Sequence, residues 1–396
     1  MRSVGTVVRG IRTPIIKDGM NLVDTVVNSL IEASKNEGFE FRDKDIVGIT
    51  EAVVAISDNN YVDVDTVAKE IKEKYRGGHV GVIFPILSRN RFSLILKSIA
   101  RGSRKITMLL SYPSDEVGNH LFDESELDKY DINPNIKTLS EEEYEKMFGD
   151  IVHPFTGINY VDFYRSLVTK ENCEIEFVFS NDAKVILNYT KDVLACDIHT
   201  RKRTKDILKK AGANLVYGLD DILTHSVDGS GFNENYGLLG SNKSTEEKLK
   251  LFPRNGQDVV YGIQNKLKGI TGKTIEVLVY GDGAFKDPVG QIWELADPTV
   301  SPAYTKGLEG TPNEIKLKYV SDNKFADIRG DELKEKVKEE IRKKENDLKG
   351  TMITQGTTPR RYVDLIGSLC DLTSGSGDKG TPVVFIQGYF DNLADE

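Results

Sequence analysis

A buried strand that ends in a tight turn is predicted by the stretch Ile275-Glu276-Val277-Leu278-Val279-Tyr280-Gly281-Asp282-Gly283. The run 275–280, apolar except for Glu276, predicts the strand, and the glycines on either side of Asp282 permit a turn that larger side chains would obstruct. Asp282 is therefore expected on rigid backbone at the end of a strand. Such a carboxylate is suited to bind a divalent metal and the phosphates that the metal carries. An aspartate that only caps the turn explains the same pattern.

A second glycine-rich turn has the sequence Ser374-Gly375-Ser376-Gly377-Asp378-Lys379-Gly380 and precedes the apolar residues 383–388. This turn does not fit a P-loop, which follows a strand and precedes a helix, because here a helix comes first and a strand follows. Two glycine-rich turns in one acidic chain favour an enzyme that acts on phosphorylated substrates.

The composition of the 396-residue chain is that of an ordinary globular protein, with 39% apolar and 29% charged residues. The length predicts two or three domains. A formal charge of −9 argues against nonspecific nucleic-acid binding, and the basic cluster at residues 201–210 is expected to be a solvated helix face. The chain shows no apolar run of about 20 residues and no signal-peptide pattern, and its three cysteines are widely spaced. These features predict a cytoplasmic protein with no membrane span and with reduced thiols.

Apolar periodicity places several elements along the chain. A helix is predicted from Asn21 to Gly38, and a strand at residues 46–50 that continues through residues 53–56. Residues 174–218 predict a right-handed strand–helix–strand unit. Residues 315–320 predict a further strand, and the acidic stretch 114–150 is expected to cover the surface.

The order of these segments resembles the coenzyme F420-0:L-glutamate ligase family, a group of γ-glutamyl ligases. The segments that carry the resemblance are residues 10–19, 45–54, 273–282 and 363–384, with a weaker match at residues 157–162. The resemblance implies an α+β fold with a mixed-sheet core built from both ends of the chain, residues 1–78 plus 245–396. Residues 79–244 would then form an inserted α/β region on the substrate side.

The resemblance also implies a reaction and its components. Members of the family use GTP and Mg or Mn to join the amino group of L-glutamate to a carboxylate of a phosphorylated acceptor, through an acyl-phosphate. A carboxylate is a poor electrophile, so the γ-phosphoryl group must be moved onto it before an amine attacks, and metal ions neutralise phosphate charge during that transfer. A homodimer is expected as well.

Candidate site residues follow from the same resemblance. Asp282 is the expected catalytic residue and metal ligand, and Asp162 and Asn159 are further candidate metal ligands. The residues expected to bind the nucleotide are Thr13, Pro14, Ile15, Thr50 and Glu51, together with the backbone amides of Ser376, Gly377 and Asp378. Surface turns and ordinary strand ends explain all of these except Asp282 comparably well. Arg360 and Arg361 are candidate anchors for an acidic substrate.

Several positions depart from the family pattern and leave the acceptor open. Asn159 stands where the family has an aspartate, Gly283 where it has a threonine, and Ser376 where it has an acidic residue. Two alternatives therefore stand beside ligation to an F420-0-like acceptor. One is the same chemistry on a folate-like or unknown acceptor, and the other is a nucleotide-binding protein without catalysis.

Overall fold

The computed structural model describes residues 3–153, 156–283, 296–357, 360–374 and 377–395. The first elements are β1 (Val7–Ile11), α1 (Leu22–Glu37), β2 (Ile46–Thr50), α2 (Glu51–Ser57), β3 (Tyr61–Asp63) and α3 (Val64–Tyr75). The middle elements are β4 (His79–Ile83), α4 (Ser93–Gly102), β5 (Lys105–Leu110), α5 (Ser125–Lys129), β6 (Leu139–Ser140), α6 (Glu141–Phe148), α7 (Tyr160–Lys170), β7 (Glu174–Phe179), β8 (Asp192–Ala195), α8 (Arg201–Lys210) and β9 (Leu215–Gly218). The last elements are β10 (Asn242–Lys243), β11 (Lys248–Lys250), α9 (Gly256–Thr271), β12 (Glu276–Tyr280), β13 (Ala303–Tyr304), α10 (Leu317–Lys324), α11 (Gly330–Lys343), α12 (Tyr362–Ser374) and β14 (Val383–Gln387).

A mixed sheet with the strand order β1-β14-β2-β12-β13 joins the two ends of the chain. Strands β2 and β12 are parallel, and the other neighbouring pairs are antiparallel. Because side chains alternate along a strand, each strand packs on both sides. Val47 and Val277 face α1 and α9, whereas Ile46 and Leu278 face α12. We call this part of the molecule the mixed-sheet unit, and it confirms the predicted α+β class.

A second sheet has the order β6-β7-β5-β4-β8-β9. Its strands are parallel except for β6, which pairs antiparallel with β7. The chain starts at the central strand β4, moves outward through β5 and β7, and returns to continue with β8 and β9 on the other side. This is the doubly wound topology, in which the strand order reverses between β4 and β8. We call this part the parallel-sheet unit.

The core of the parallel-sheet unit extends beyond the inserted region predicted at residues 79–244. The core of the parallel-sheet unit begins at Val62 and ends at Leu251. Helix α3, which was predicted to belong to the first unit, buries Val67 and Ile71 in this core and packs against α4. Strand β3 pairs with β11, so the two crossings between the units lie side by side.

Three local predictions were wrong. Residues 53–56 form part of helix α2, whose first turn is capped by the Thr50 side chain, and residues 317–320 open helix α10. Short apolar runs do not distinguish a strand from a buried helix, which explains both errors. The acidic stretch 114–150 buries several aromatic and aliphatic side chains instead of only covering the surface. By contrast, helix α1 is confirmed with Asn21 as its N-cap and Gly38 as its C-cap, and so is the β8–α8–β9 unit.

The cysteines and the helices agree with two predictions from composition. Cys173, Cys196 and Cys370 are buried free thiols. Among the residues that the structure describes, no helix is long and apolar enough to cross a membrane.

Candidate active site

The parallel pairing of β2 and β12 brings two predicted site segments together. Tyr280 lies opposite Thr50 in the register, so Glu51 and Asp282 follow at the same edge of the sheet. The amide of Thr50 donates to the carbonyl of Pro382 at 3.0 Å, which adds the end of the second glycine-rich turn to this edge. The carboxyl ends of parallel strands are a usual position for ligand sites in α/β proteins.

A cavity of about 1060 Å³ lies at this edge, between the two units. The mixed-sheet unit contributes Thr50, Glu51, Asp282 and Asp371 to its wall, and the turn contributes Gly377. The rest of the lining comes from the loops of the parallel-sheet unit and from the short strands β10 and β11, with the side chains Ser88, Asn90, Arg91, Asn119, Lys243 and Lys250. The cavity is therefore lined by both carboxylates and cationic groups, and Arg91 and Lys250 contact carboxylates directly.

A guanidinium bridges two carboxylates at the centre of the site. Arg91, from the loop between β4 and α4, contacts Oδ2 of Asp282 through Nη2 at 2.7 Å and Oδ1 of Asp297 through Nη1 at 2.5 Å. The amide of Asp282 donates to Oδ2 of Asp297 at 2.8 Å, and the amide of Gly283 donates to Oδ2 of Asp371 at 3.0 Å. The strand end is thus tied to two further aspartates.

Burial and charge set the protonation of this cluster. Burial opposes the charge of Arg91, but the carboxylates of Asp297, Asp282 and Glu51 outweigh it and raise the pKa of the guanidinium, which stays protonated. Burial raises the pKa of Asp371, although the Gly283 amide opposes the effect. The cluster therefore combines a fixed positive charge with one carboxyl group, that of Asp371, whose ionised form is disfavoured by burial.

Glu51 and Lys250 form a second charged pair in the lining of the same cavity. Lys250 Nζ lies 3.3 Å from Oε1 of Glu51, and both side chains are buried. Burial raises the pKa of Glu51, and the nearby Lys250 opposes this shift. Within the described part of the chain, Oε2 of Glu51 has no hydrogen-bond partner. A buried oxygen in that state is a candidate ligand for a cation.

The loop that carries Arg91 is fixed at its base. Asp115 accepts hydrogen bonds from the amide of Leu87 at 2.8 Å and from the amides of Val117 and Asn119 at 3.0 and 2.8 Å. The side chain of Asn119 donates a further bond at 2.8 Å. Burial raises the pKa of Asp115 to about 6 despite these donors. Because the loop base is held from within the parallel-sheet unit, that unit determines where Arg91 enters the cavity.

The N-terminal nucleotide candidates lie near the same glycine-rich turn but along a different groove. The amide of Thr13 donates to the carbonyl of Gly380 at 3.3 Å. Thr13 and Pro14 line a groove of about 900 Å³ beside β1 and α1, and Ile15 is 84% exposed. Asp378 is exposed in the turn, and Ser376 lies outside the described residues. Of the predicted nucleotide residues, Thr50, Glu51 and Gly377 share the large cavity with Asp282.

The second pair of candidate metal ligands lies at the start of helix α7. Oδ1 of Asn159 accepts from the amides of Val161 and Asp162 at 3.0 and 3.2 Å, while its Nδ2 donates to the carbonyl of Gly149 at 2.7 Å. Neither Asn159 nor Asp162 is among the described residues that line the cavity. The same is true of Arg361, which pairs with Asp364 at 2.8 Å.

Sequence reasoning missed Arg91, Asp297, Asp371 and Lys250. A weak signal existed for Asp371, which lies in the predicted last helix shortly before the glycine-rich turn. Arg91 gave no signal, because it lies in the loop between β4 and α4 and contacts residues more than 190 positions away. Its role depends on how the two units are arranged.

Carboxylate oxygens are the ligands that Mg and Mn prefer, so the donor set of Asp282, Asp297 and Glu51 fits a divalent cation chemically. The unpartnered Oε2 of Glu51 supports this fit. In the described segments, however, no group of three or more His, Cys, Asp or Glu side chains is already arranged around a metal position. Arg91 takes the central place between Asp282 and Asp297 instead.

An acid-lined cavity at the carboxyl ends of parallel strands is typical of an enzyme active site. The chain belongs to the F420-0:gamma-glutamyl ligase family, because the sequence model of that family matches residues 10–388. A search of curated proteins gave no match. Family membership supports a γ-glutamyl ligase related to F420 biosynthesis that acts on small-molecule substrates.

Proposed function

We propose that this protein is a GTP- and metal-dependent ligase that joins L-glutamate to a carboxylate of F420-0 or a similar phosphorylated acceptor, with release of GDP. The reaction would pass through an acyl-phosphate formed by transfer of the γ-phosphoryl group of GTP to the acceptor carboxylate. Attack by the glutamate amine would then form the amide bond and release inorganic phosphate. The single observation that carries the proposal is the position of Asp282, on a rigid strand end beside a cavity of about 1060 Å³. That volume accommodates a nucleotide together with part of an acceptor.

Each wall of the cavity has a role in this proposal. Asp282, with Asp297 and Glu51, would hold Mg or Mn, which when bound neutralises phosphate charge during transfer. Arg91, Lys243 and Lys250 would supply positive charge to the phosphates of the nucleotide and the acceptor.

The nucleotide would enter along the second glycine-rich turn. The backbone of Gly377 and Asp378 would donate amides to phosphate, as open glycine turns allow. Thr50 lies in the same wall, and its side chain caps helix α2. Thr13 and Pro14, on the far side of the Gly380 carbonyl, would contact the part of the nucleotide that extends beyond the cavity.

We also propose that the protein is a cytoplasmic homodimer. The buried free thiols are compatible with a reducing compartment, and the dimer rests on the family resemblance. Sedimentation velocity measures the mass in solution, and a monomer at micromolar concentration would contradict this part of the proposal.

The direct test is product analysis by mass spectrometry. The protein is incubated with L-glutamate, Mn, and either GTP or ATP, with F420-0 in one series and a pteroyl acceptor in another. The proposal expects a product heavier by one glutamyl residue with GTP and F420-0, together with GDP, and none with Asp282→Asn. A product only with the pteroyl acceptor would support the folate-like alternative, and GTP binding without product under any acceptor would support the non-catalytic alternative.

A further inference from the structure

The site contains a cation of its own, supplied by the parallel-sheet unit. Arg91 reaches from the loop between β4 and α4 to two aspartates of the mixed-sheet unit. We propose that Arg91 is an internal competitor of the divalent metal, so that metal binding at Asp282 and Asp297 requires the guanidinium to leave these carboxylates. This inference rests on the proposed function, because it concerns the same metal site.

The first argument is the occupancy of Asp297. Its Oδ1 receives Nη1 of Arg91 and its Oδ2 receives the amide of Asp282. Both oxygens are engaged, and the Asp297 side chain is only 1% exposed. A metal ion therefore gains Asp297 as a ligand readily only when the Arg91 bond is broken, since the amide of Asp282 is fixed by the strand end.

The second argument is charge. A guanidinium and a divalent ion that share two largely buried carboxylates repel each other strongly, because the surroundings screen charge less than water does. Either cation alone satisfies the carboxylates, and leaving them unpaired is strongly unfavourable. The two cations are therefore expected to exclude one another at this pair.

The third argument is where Arg91 goes after displacement. The side chain already lines the cavity, and its loop base is held by the bonds of Asp115 to Leu87 and Asn119. The amide of Arg91 also donates to Oγ of Ser88 at 3.1 Å. The guanidinium can therefore turn into the cavity while the backbone stays in place. There it meets the phosphates that the metal would accompany, in the bidentate geometry that arginine offers.

Isothermal titration calorimetry with MnCl₂ alone tests the competition. Wild type, Arg91→Gln and Arg101→Gln are compared. Arg101 is the matched control, since it is also an arginine of the parallel-sheet unit that pairs with carboxylates, Asp65 at 2.6 Å and Glu171 at 2.9 Å, away from the cavity wall. Arg91→Gln is expected to bind Mn about tenfold more tightly or better, whereas Arg101→Gln binds as wild type does.

Thermal unfolding provides the second measurement. Without metal, Arg91→Gln is expected to melt below wild type because two carboxylates lose their counter-charge, and saturating Mn is expected to raise its Tm by more than it raises that of wild type. Should Arg91→Gln fail to fold, Arg91→Lys keeps a charge with fewer bonds and is expected to bind Mn more tightly than wild type. Equal or weaker Mn binding by the folded Arg91 variant overturns the inference.

The outcomes separate this inference from the proposed function. Mn binding by wild type that is lost in Asp282→Asn, but is unchanged by Arg91→Gln, overturns only the competition. Absence of Mn binding in wild type, Arg91→Gln and Arg91→Lys alike overturns both the competition and the metal site. The double variant Asp282→Asn/Arg91→Gln is expected to lose the tight binding of Arg91→Gln.

Discussion

The ends of the parallel strands have different surroundings in the two units. In the mixed-sheet unit, β2 and β12 are followed by Glu51 and Asp282, which line an open cavity. In the parallel-sheet unit, the strand order reverses between β4 and β8, which is the usual ligand crevice of a doubly wound sheet. Here apolar side chains such as Leu219 and Leu238 fill one side of this region and leave a void of about 20 Å³, and a separate groove of about 600 Å³ borders Phe84 and Thr204.

The parallel-sheet unit contributes to the candidate site through one loop. The loop after β4 continues beyond the apolar side chains and brings Arg91 to the other unit. Carboxylates come from one unit and the central cation from the other. The candidate site therefore lies at the boundary between the units, and both units contribute side chains to its lining.

The largest expected effect on stability concerns the second charged pair across that boundary. Lys250→Met leaves Glu51 buried without its counter-charge and is expected to destabilise the protein by about 3–5 kcal/mol. Urea unfolding measures the change. In the double variant Glu51→Gln/Lys250→Met, most of the lost stability should be recovered.

Lys243→Met is the control, because Lys243 lines the same cavity but pairs with the exposed Glu246. A change in stability below about 1 kcal/mol is expected. Equal effects of the two lysine variants would contradict a structural role for the Glu51 pair.

The next effect tests how firmly the parallel-sheet unit holds the loop of Arg91. Asp115→Ala leaves the buried amides of Leu87 and Val117 without their acceptor and is expected to lower the free energy of unfolding by about 3 kcal/mol. Asp123→Ala, an exposed carboxylate that also accepts from a backbone amide, should lose less than about 1 kcal/mol. Similar losses in chemical denaturation would show that Asp115 does not hold the loop.

A pH-dependent effect on stability is expected at Asp197, which follows strand β8. Burial raises the pKa of Asp197 to about 6, whereas the hydroxyls of Thr204 and Thr200, each donating at 2.7 Å, oppose the shift. Because the folded protein holds this proton more tightly than the unfolded chain does, the contribution of Asp197 to wild-type stability falls as the pH rises from about 4 to about 6. Asp197→Asn removes the charge and keeps an acceptor for both hydroxyls.

The asparagine variant is therefore expected to exceed wild type by at most about 3 kcal/mol at pH 7, and the gain should vanish near pH 4. Unfolding curves at both pH values measure it. Asp206→Asn, at an exposed position of helix α8, the helix that carries Thr204, should change stability by less than about 0.5 kcal/mol. A pH-independent gain at Asp197 would contradict the electrostatic explanation.

The smallest effects test packing inside the mixed-sheet unit. A Cβ at Gly48 would collide with Sγ of Cys370 and would lie 3.3 Å from Cδ1 of Tyr280, so Gly48→Ala should destabilise by about 1–3 kcal/mol. At Gly269, on the exposed face of α9, nothing lies within 4 Å of the added Cβ. Gly269→Ala should stabilise by about 0.5–1 kcal/mol. The Tm values of both variants measure these changes in stability. An unchanged Tm for Gly48→Ala would mean that α12 packs more loosely on β2 than the structure shows.

Local signals predicted much of the mixed-sheet unit and little of the site. Helix α1 carries its own start and stop residues, Asn21 and Gly38, and β12 is an apolar run with a glycine at its end, so a short window of sequence suffices for both. Residues 53–56 carry no such signal, and they formed a helix. Arg91 and Asp297 are 206 positions apart, and their contact depends on the packing of two units that no local pattern encodes.

The central claim is that Asp282 stands in a nucleotide and metal site, and GTP titration by calorimetry tests it most directly. Wild type and Asp282→Asn are titrated with GTP in the presence of Mn and again in EDTA. The account predicts that wild type binds GTP with Mn, that binding weakens at least about tenfold in EDTA, and that Asp282→Asn loses the dependence on Mn. Binding that is unchanged in Asp282→Asn, or no GTP binding with Mn or Mg, would contradict it.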